Sequence, residues 1–232
     1  MISENVKFAR EAIAVAAKKS GRTPDEVKLI GVTKTINTEK IKELLAAGVT
    51  ILGENRVQEF LPKYEELSTL SSPPEWHFIG HLQKNKVKYI IDKVTLIHSV
   101  DSLPLAAEIN KQAKRVGRVM DILAEVNIAE ESSKFGMSTE QILDFAESLK
   151  YMPNIRLTGL MCVPPFVENA EENRVNFVNL RKIFVDIHTR KMYHTEMRDL
   201  SFGMSGDYPV AVEEGATMVR LGTALFGERT II

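Results

Sequence analysis

The chain has 232 residues, 44% of them hydrophobic, and its 30 basic and 31 acidic side chains give a net charge of −1. This balance disfavours nucleic acid or an anionic membrane as a partner. Cys162 is the only cysteine, which excludes an intrachain disulfide framework and a cysteine-based zinc site. The N-terminus lacks the apolar stretch of a secretory signal, and the early apolar run at 12–17 is too short to span a bilayer. We therefore expect a cytoplasmic protein.

Short apolar segments alternate with helical patterns along the chain. Strands are predicted at residues 27–33, 50–53, 76–79, 95–99, 119–126, 156–162, 199–202 and 217–221. Helices are predicted at residues 4–19, 38–47, 54–67, 84–92, 102–116, 139–150, 170–188 and 207–214. This order predicts an α/β protein: a single (β/α)8 TIM barrel domain over residues 1–232, with an extra N-terminal helix. A doubly wound open sheet is the alternative, because the sequence does not reveal whether the sheet closes.

The strand ends of such a barrel carry its chemistry. Lys34 follows the first strand, Asn55 follows the second, and Arg220 lies in the eighth. Because side chains alternate along a strand, Ile30 and Val32 should point inward below Lys34. An arginine inside a barrel is costly unless it is paired or meets a ligand, so Arg220 is predicted to have a partner.

The turns after the seventh and eighth strands predict a phosphate site. One turn contains Ser205 and Gly206, and the other contains Gly222 and Thr223. Main-chain N–H groups in small-residue turns and at helix N-termini bind phosphate, and these two loops are the usual phosphate site of the fold. A lysine beside such a site suggests a phosphorylated aldehyde or a sugar phosphate as the ligand.

Several segments taken together resemble the pyridoxal phosphate homeostasis proteins, which are similar to the N-terminal barrel of alanine racemase (fold type III). The segments are GVTKT (31–35), GENRVQE (53–59), WHFIGHLQKNK (76–86), LSFGMSGD (200–207), VRLGT (219–223) and FGER (226–229). The resemblance covers residues 27–229. It implies a (β/α)8 barrel with pyridoxal 5′-phosphate as its cofactor.

The resemblance also implies a role for each candidate residue. Lys34 matches the lysine that holds the cofactor as a Schiff base, and Arg220 matches an arginine facing the pyridine nitrogen. Asn55 would line the ring pocket. The residues that match the phosphate-binding turns are Ser205, Gly206, Gly222 and Thr223.

Judged by residue type alone, these candidates have simpler interpretations. A lysine at a strand end is commonly a solvated charge. Arg220 can pair with an acidic residue inside the barrel, and Ser205-Gly206 can be an ordinary turn before a helix. The family motifs, not the residue types, favour the functional interpretation.

Other residues of interest carry weaker signals. His77 and His81 can act at the site or simply hydrogen-bond loop backbone. The five histidines show no metal-ligand spacing, so no metal site is predicted. Cys162 is interpreted as a small core residue. Asn127 and Lys134 belong to a segment that resembles a family loop whose role the sequence does not reveal.

The resemblance leaves a carrier and an enzyme as alternatives. Racemisation needs a base on each face of the reacting carbon, and Lys34 supplies one. In the racemases the other is a tyrosine from a second domain of a partner subunit. We expect no such domain here, because the chain ends at Ile232 after the eighth strand, and Tyr208 has no predicted place on the opposite ring face.

Arg220 also bears on this choice. An arginine donates to the ring nitrogen and leaves it unprotonated, which weakens the electron sink. We therefore predict a monomeric carrier that buffers pyridoxal phosphate and hands it to apo forms of enzymes that use it. A weak amino-acid racemase-like enzyme is the alternative.

Overall fold

The computed structural model describes residues 1–129 and 135–227. In these residues eight strands form the sheet: β1 (Lys28–Val32), β2 (Ile51–Glu54), β3 (Glu75–Phe78), β4 (Leu96–Val100), β5 (Met120–Glu125), β6 (Ile155–Met161), β7 (Thr195–Ser201) and β8 (Met218–Leu221). They are parallel and follow one another in chain order around a closed barrel. Closure is direct, because β1 pairs with both β2 and β8. The (β/α)8 barrel prediction is confirmed, and the open sheet is excluded.

Helices surround this barrel. They are α1 (Ile2–Lys19), α2 (Thr38–Ala46), α3 (Val57–Leu67), α4 (Val87–Ile90), α5 (Leu103–Arg115), α6 (Thr139–Ser148), α7 (Arg174–Arg190), α8 (Tyr208–Glu213) and α9 (Thr223–Phe226). Local sequence sets several of their starts. The Asn37 side chain accepts from the Lys40 N–H at the start of α2, and Ser138 and Gln141 form a capping box at the start of α6. Among the described helices, none combines the length and apolar character needed to cross a membrane.

The N-terminal helix α1 flanks the barrel wall. Its buried side chains recur every three or four residues and so form one stripe: Ile2, Val6, Ala9, Ile13, Ala16 and Ala17. Through this helix the N-terminal segment contacts α8 and α9, the last two described helices. The Asn5 side-chain amide adds a hydrogen bond of 2.9 Å to the carbonyl of Leu225.

Strand parity divides the core into an inner and an outer layer. The inner apolar cluster consists of Ile30, Leu96, Leu123, Met161 and Met218. Val219 and Leu221, the alternate residues of β8, belong to the outer core under the helices. Gly31 also faces outward, and a Cβ there would lie 2.5 Å from Leu44 of α2, so the close approach of α2 requires glycine. The inward orientation predicted for Ile30 is therefore confirmed.

Several element boundaries differ from the prediction, for example the helix predicted at 84–92 covers only Val87–Ile90, and the helix predicted at 170–188 is Arg174–Arg190. β7 begins at Thr195 rather than 199, because its first residues are polar: Arg198 pairs with Asp121 at 2.6 Å and with Glu196 at 2.8 Å. The helix predicted from residue 54 begins at Val57, since Glu54 belongs to β2. The helix α9 was not predicted, as four residues give no periodic pattern.

Candidate functional site

A cavity of about 350 Å³ lies at the C-terminal ends of the strands. It brings together every site residue predicted from the sequence: Lys34, Asn55, Ser205, Gly206, Arg220, Gly222 and Thr223. Much of the remaining wall comes from β1, from the residue after β3, and from the segment that follows β6, namely Val32, Ile79, Val163, Pro165, Phe166 and Val167. The cavity thus has polar groups at two ends and apolar walls between them.

The end of β1, which carries Lys34, is held by a buried ion pair. Lys63 of α3 contacts the carboxylate of Glu54 and donates to the carbonyl of Thr33 at 2.7 Å. The same carboxylate accepts from the Thr33 hydroxyl at 2.8 Å. Glu54 is fully buried and Lys63 is 8% exposed. Because charges in the interior must be paired and hydrogen-bonded, this group fixes the backbone one residue before Lys34.

The residue after Lys34 has an unusual backbone conformation. Thr35 has a φ of +62°, in the left-handed region that β-branched residues rarely adopt. Its N–H donates to the carboxylate of Glu59 in α3 at 2.7 Å. A strained conformation persists only where its surroundings enforce it. Lys34 is therefore set in place from both sides, by Glu54 and Lys63 before it and by Glu59 after it.

Asn55 lies beside this end of β1. Its N–H donates to the Glu54 carboxylate at 3.1 Å. A Cβ at Gly80 would lie 2.4 Å from the Asn55 carbonyl oxygen, so the loop after β3 approaches this closely only because residue 80 is glycine. Among the described residues, the side-chain Oδ1 of Asn55 is buried without a hydrogen-bond partner. Such an oxygen favours a ligand that can donate to it.

The other end of the cavity is built by the turns after β7 and β8. The Ser205 hydroxyl accepts from the N–H of Gly222 at 3.3 Å and of Ala224 at 3.0 Å, and so joins the two turns. A Cβ built on Gly206 meets no atom within 4 Å, which leaves open space beside its backbone. Main-chain N–H groups around such a space can bind an anion.

Arg220 is 5% exposed and forms the polar floor of the cavity. One terminal nitrogen donates to the Ser201 carbonyl at 2.8 Å and to its hydroxyl at 2.6 Å, and the other donates to the Cys162 carbonyl at 2.8 Å. Burial lowers the pKa of the guanidinium, but arginine is effectively always protonated in proteins. The predicted partner exists, although it consists of backbone and hydroxyl oxygens and not of an acidic side chain.

Glu125, at the end of β5, is a buried carboxyl group close to this arginine. Burial, followed by the negative charge of Asp101, raises the pKa of Glu125 to about 7, against the opposing effect of Arg220. Its Oε2 is buried and lacks a hydrogen-bond partner among the described residues. The ionised form is therefore costly in the folded protein.

We predict that Glu125→Gln flattens the pH dependence of stability between pH 5 and 8. The group ionises near pH 4.5 when unfolded and near pH 7 when folded. In this window the folded state binds more protons, so the free energy of unfolding falls as the pH rises. Since each tenfold change in proton affinity is worth about 1.4 kcal/mol, the variant should gain about 2–3 kcal/mol at pH 8. Urea unfolding at several pH values checks this. Glu65→Gln, at an exposed position, is the control. The same slope of unfolding free energy against pH for Glu125→Gln and wild type would contradict the prediction.

The two histidines singled out in the sequence occupy different places, and neither lines the cavity. His77 is buried inside the barrel, where its ring bonds to Glu75 and to His98. His81 lies near the rim, 3.2 Å from Asp101 and stacked on Phe135 with 3.9 Å between the ring centres. Asn127 follows β5, and its N–H donates to the carbonyl of Met137 at 2.9 Å. Lys134, Glu228 and Arg229 lie outside the described residues.

Sequence reasoning missed the residues that hold Lys34 in place. Lys63 gave one signal, because it shares the buried face of α3 with Phe60 and Leu67, where a lysine needs an acidic partner. Glu54 gave no such signal, because it was predicted to open a helix, where a carboxylate is common. Glu59 showed no signal, since its partner is a main-chain N–H group distant in sequence.

Comparison with known proteins places the chain in a class. The profile of the family described as "Alanine racemase, N-terminal domain" matches residues 10–230. The structure of an alanine racemase from Clostridium difficile 630 superposes with a TM-score of 0.67 at 18% identity, covering 97% of this chain and 57% of the racemase chain. At that identity the likeness concerns the fold alone. Fold and profile thus define a barrel of the racemase N-terminal type.

More similar relatives identify the family within that class. The pyridoxal phosphate homeostasis protein of Aquifex aeolicus is 46% identical over 226 residues, 97% of each chain. PipY of Synechococcus elongatus PCC7942, solved with PLP bound, is 32% identical with a TM-score of 0.85, covering 98% of this chain and all of PipY. The chain belongs to the pyridoxal phosphate homeostasis protein family.

Proposed function

We propose that this protein binds pyridoxal 5′-phosphate in the cavity, attaches it to Lys34 as a Schiff base, and acts as an intracellular carrier rather than an enzyme. The observation that carries the proposal is the convergence of Lys34, Arg220 and the two turns on one cavity. The relative PipY, whose structure was solved with PLP bound, supports the choice of ligand.

The groups in the cavity fit this ligand. The open space at Gly206 suits a phosphate. The Ser205 hydroxyl accepts from the N–H groups of Gly222 and Ala224 and keeps its own proton to donate to that phosphate, and Thr223 also lines the cavity. The apolar walls suit the faces of an aromatic ring. The unpartnered Oδ1 of Asn55 suits a donor on the ring substituents, since pyridoxal phosphate carries a phenolic hydroxyl.

The chain's own groups then have distinct tasks. The Lys34 amine condenses with the aldehyde, forming a C=N bond and releasing water. Arg220, which lacks an acceptor atom, donates to the ring nitrogen and disfavours its protonation. When bound, the cofactor supplies an electron sink whose strength depends on that nitrogen. The arginine therefore favours holding the cofactor over strong carbanion chemistry.

The ionisable side chains around the cavity also favour a carrier. Among the described residues that line it, these are Lys34, Asp207 and Arg220. Asp207 is 5% exposed and already accepts from the N–H of Met204 at 2.7 Å and from the Asn173 amide at 2.9 Å. Arg220 has no acceptor atom, so Lys34 is the residue that we assign as a base on one face of a substrate. A second base is typically worth about 10²–10⁴-fold in rate, which a racemase would lose here.

The proposal extends to the protein's setting. We propose that it works in the cytoplasm as a monomeric single domain, and that it passes the cofactor transiently to apo enzymes. Neither nucleic acid nor a membrane is a partner.

We expect the protein to prefer pyridoxal phosphate to pyridoxal by orders of magnitude, because several donors meet the phosphate and each bond to a charged acceptor contributes about 1.5–3 kcal/mol. Titration with the two compounds checks this. The same loaded protein, incubated with L-alanine in deuterated water, should show no enzyme-like exchange at Cα. When mixed with an apo enzyme, it should restore activity faster than spontaneous release allows.

Each part of the proposal has a contrary outcome. Equal affinity for pyridoxal and pyridoxal phosphate would contradict the phosphate site. Exchange at about 1 s⁻¹ or faster would contradict the carrier and favour a racemase-like enzyme. Recovery of the apo enzyme no faster than spontaneous release would contradict delivery.

A further inference from the structure

A chain of polar side chains crosses the barrel interior, from its N-terminal face to the cavity. Glu75, at the start of β3, accepts from the His77 ring at 3.0 Å. The His77 ring meets the His98 ring at 2.9 Å, and His98 meets the Ser201 hydroxyl at 2.9 Å. Arg220 donates to that hydroxyl at 2.6 Å. The three middle residues are buried, and the Glu75 side chain is 44% exposed.

The two ends fix the direction of the outer hydrogen bonds. Arginine has only donors, and an ionised carboxylate has only acceptors. The hydrogen bond from His77 holds the pKa of Glu75 at about 2, so Glu75 is ionised and His77 Nε2 carries the donated proton. At the other end Ser201 accepts from Arg220, which leaves its own proton for His98 Nδ1.

The central link follows from the protonation of His98. Burial, with the positive charges of Arg220 and Lys28, holds the pKa of His98 well below its usual value, so its ring is neutral. With Nδ1 accepting, the single ring proton is on Nε2 and is donated to Nδ1 of His77. All four ring nitrogens of the two histidines and the Ser201 proton are then used, and all the bonds point from Arg220 toward Glu75.

We propose that Glu75, His77, His98 and Ser201 are positioning residues for Arg220, forming a one-way hydrogen-bonded chain that fixes its guanidinium as the donor to a ring nitrogen in the cavity. This inference rests on the proposed binding of pyridoxal phosphate. The hydrogen bonds to Ser201 and Cys162 use three of the five guanidinium N–H groups, and two remain with which to meet a ligand.

The chain keeps the negative charge of Glu75 at the opposite face of the barrel from the Arg220 guanidinium. A carboxylate in contact with the guanidinium would compete with a neutral ring nitrogen, because bonds between charged partners are the stronger ones. The chain instead satisfies Arg220 with neutral oxygens and ends in Glu75 at the opposite face. Arg220 thus keeps its charge toward the cavity, and the site selects a ring that offers an acceptor.

The test compares pyridoxal phosphate with its 1-deaza analogue, in which a ring C–H replaces the nitrogen. Wild type should bind pyridoxal phosphate about tenfold more tightly or better, the value of one hydrogen bond to a charged donor. Ser201→Ala should weaken the binding of pyridoxal phosphate about 5- to 20-fold and leave the binding of the analogue unchanged. Glu75→Ala, at the far face, should act in the same direction with a smaller loss.

Thr158→Val is the matched control, because it also removes a buried hydroxyl, one that donates to the Ile122 carbonyl at 3.5 Å, outside the chain. Thr158→Val should bind pyridoxal phosphate more tightly than the 1-deaza analogue by the same factor as wild type. If Ser201→Ala weakens both ligands equally, its role is merely structural and the proposal is overturned. The proposal is also overturned if Ser201→Ala keeps the wild-type preference for pyridoxal phosphate over the analogue, or if wild type binds the two equally. In the last two cases the binding of pyridoxal phosphate still stands.

A measurement on the ligand-free protein tests the chain separately. Nitrogen-15 NMR of the histidine rings at neutral pH should show His77 and His98 both neutral and both protonated at Nε2. A proton on Nδ1 of His98, or a charged His98, would overturn the direction of the chain. Failure of wild type to bind pyridoxal phosphate would sink the proposed function instead, and with it the role of the chain toward a ligand.

Discussion

Gly206→Asp should weaken the binding of pyridoxal phosphate about 10²- to 10³-fold. Gly206 lines the cavity, and a Cβ there meets no atom within 4 Å, so the side chain can be added without displacing its neighbours. It would place a carboxylate beside the phosphate. Two unit charges about 4 Å apart repel by about 4 kcal/mol at the effective dielectric constant near a protein surface, and solvent reduces this further. A titration followed by absorbance measures the loss.

Gly206→Asn separates charge from size, because asparagine has the same shape without the charge. It should bind pyridoxal phosphate far better than Gly206→Asp does. Pyridoxal, which lacks the phosphate, should bind alike to wild type and to both variants. Equal losses for aspartate and asparagine would show that space and not charge matters, and would contradict a phosphate at this turn.

Lys63→Met should lower the free energy of unfolding by about 3–5 kcal/mol, the cost of leaving a buried charge without its partner. Methionine fills much of the same volume, but Glu54 would remain fully buried beside an apolar side chain. The carbonyl of Thr33 would also lose its hydrogen bond from Lys63. Denaturation by urea at pH 7 gives the change. Because these groups hold the end of β1, the variant should also bind pyridoxal phosphate more weakly.

Lys42→Met is a matched control, since it breaks another lysine–glutamate pair, that of Lys42 with Glu66. Both side chains of this pair are about half exposed, at 44% and 45%. Exposed pairs contribute little to stability because water screens them. We therefore expect little change for Lys42→Met. Similar unfolding curves for Lys42→Met and Lys63→Met would contradict the assigned importance of the buried pair.

The sequence predicted the barrel and the membership of its cavity for physical reasons. Apolar runs alternating with helical periodicity allow few architectures, and the alternation of side chains placed Ile30 inside β1 and Gly31 outside. Strand ends meet at one face of a barrel, so Lys34 and Arg220 come together although they lie far apart in the chain. The motifs that resemble the family supplied the roles proposed for them.

The supporting contacts could not be predicted, because they join residues without a shared local pattern. His77 on β3, His98 on β4 and Ser201 on β7 meet only once the barrel has closed. The ion pairs of Arg198 similarly hide the start of β7 from a search for apolar runs. Arg220 was expected to need a partner, but nothing in its surroundings along the chain indicates the carbonyl of Cys162.

Covalent attachment of the cofactor at Lys34 can be measured by reducing the Schiff base. The protein loaded with pyridoxal phosphate is reduced with borohydride, digested and examined by mass spectrometry. We predict a pyridoxyl group on the peptide that contains Lys34, and no such group in a folded Lys34→Ala variant. A stoichiometric label on another lysine, or no label on a protein that demonstrably binds the cofactor, would contradict it.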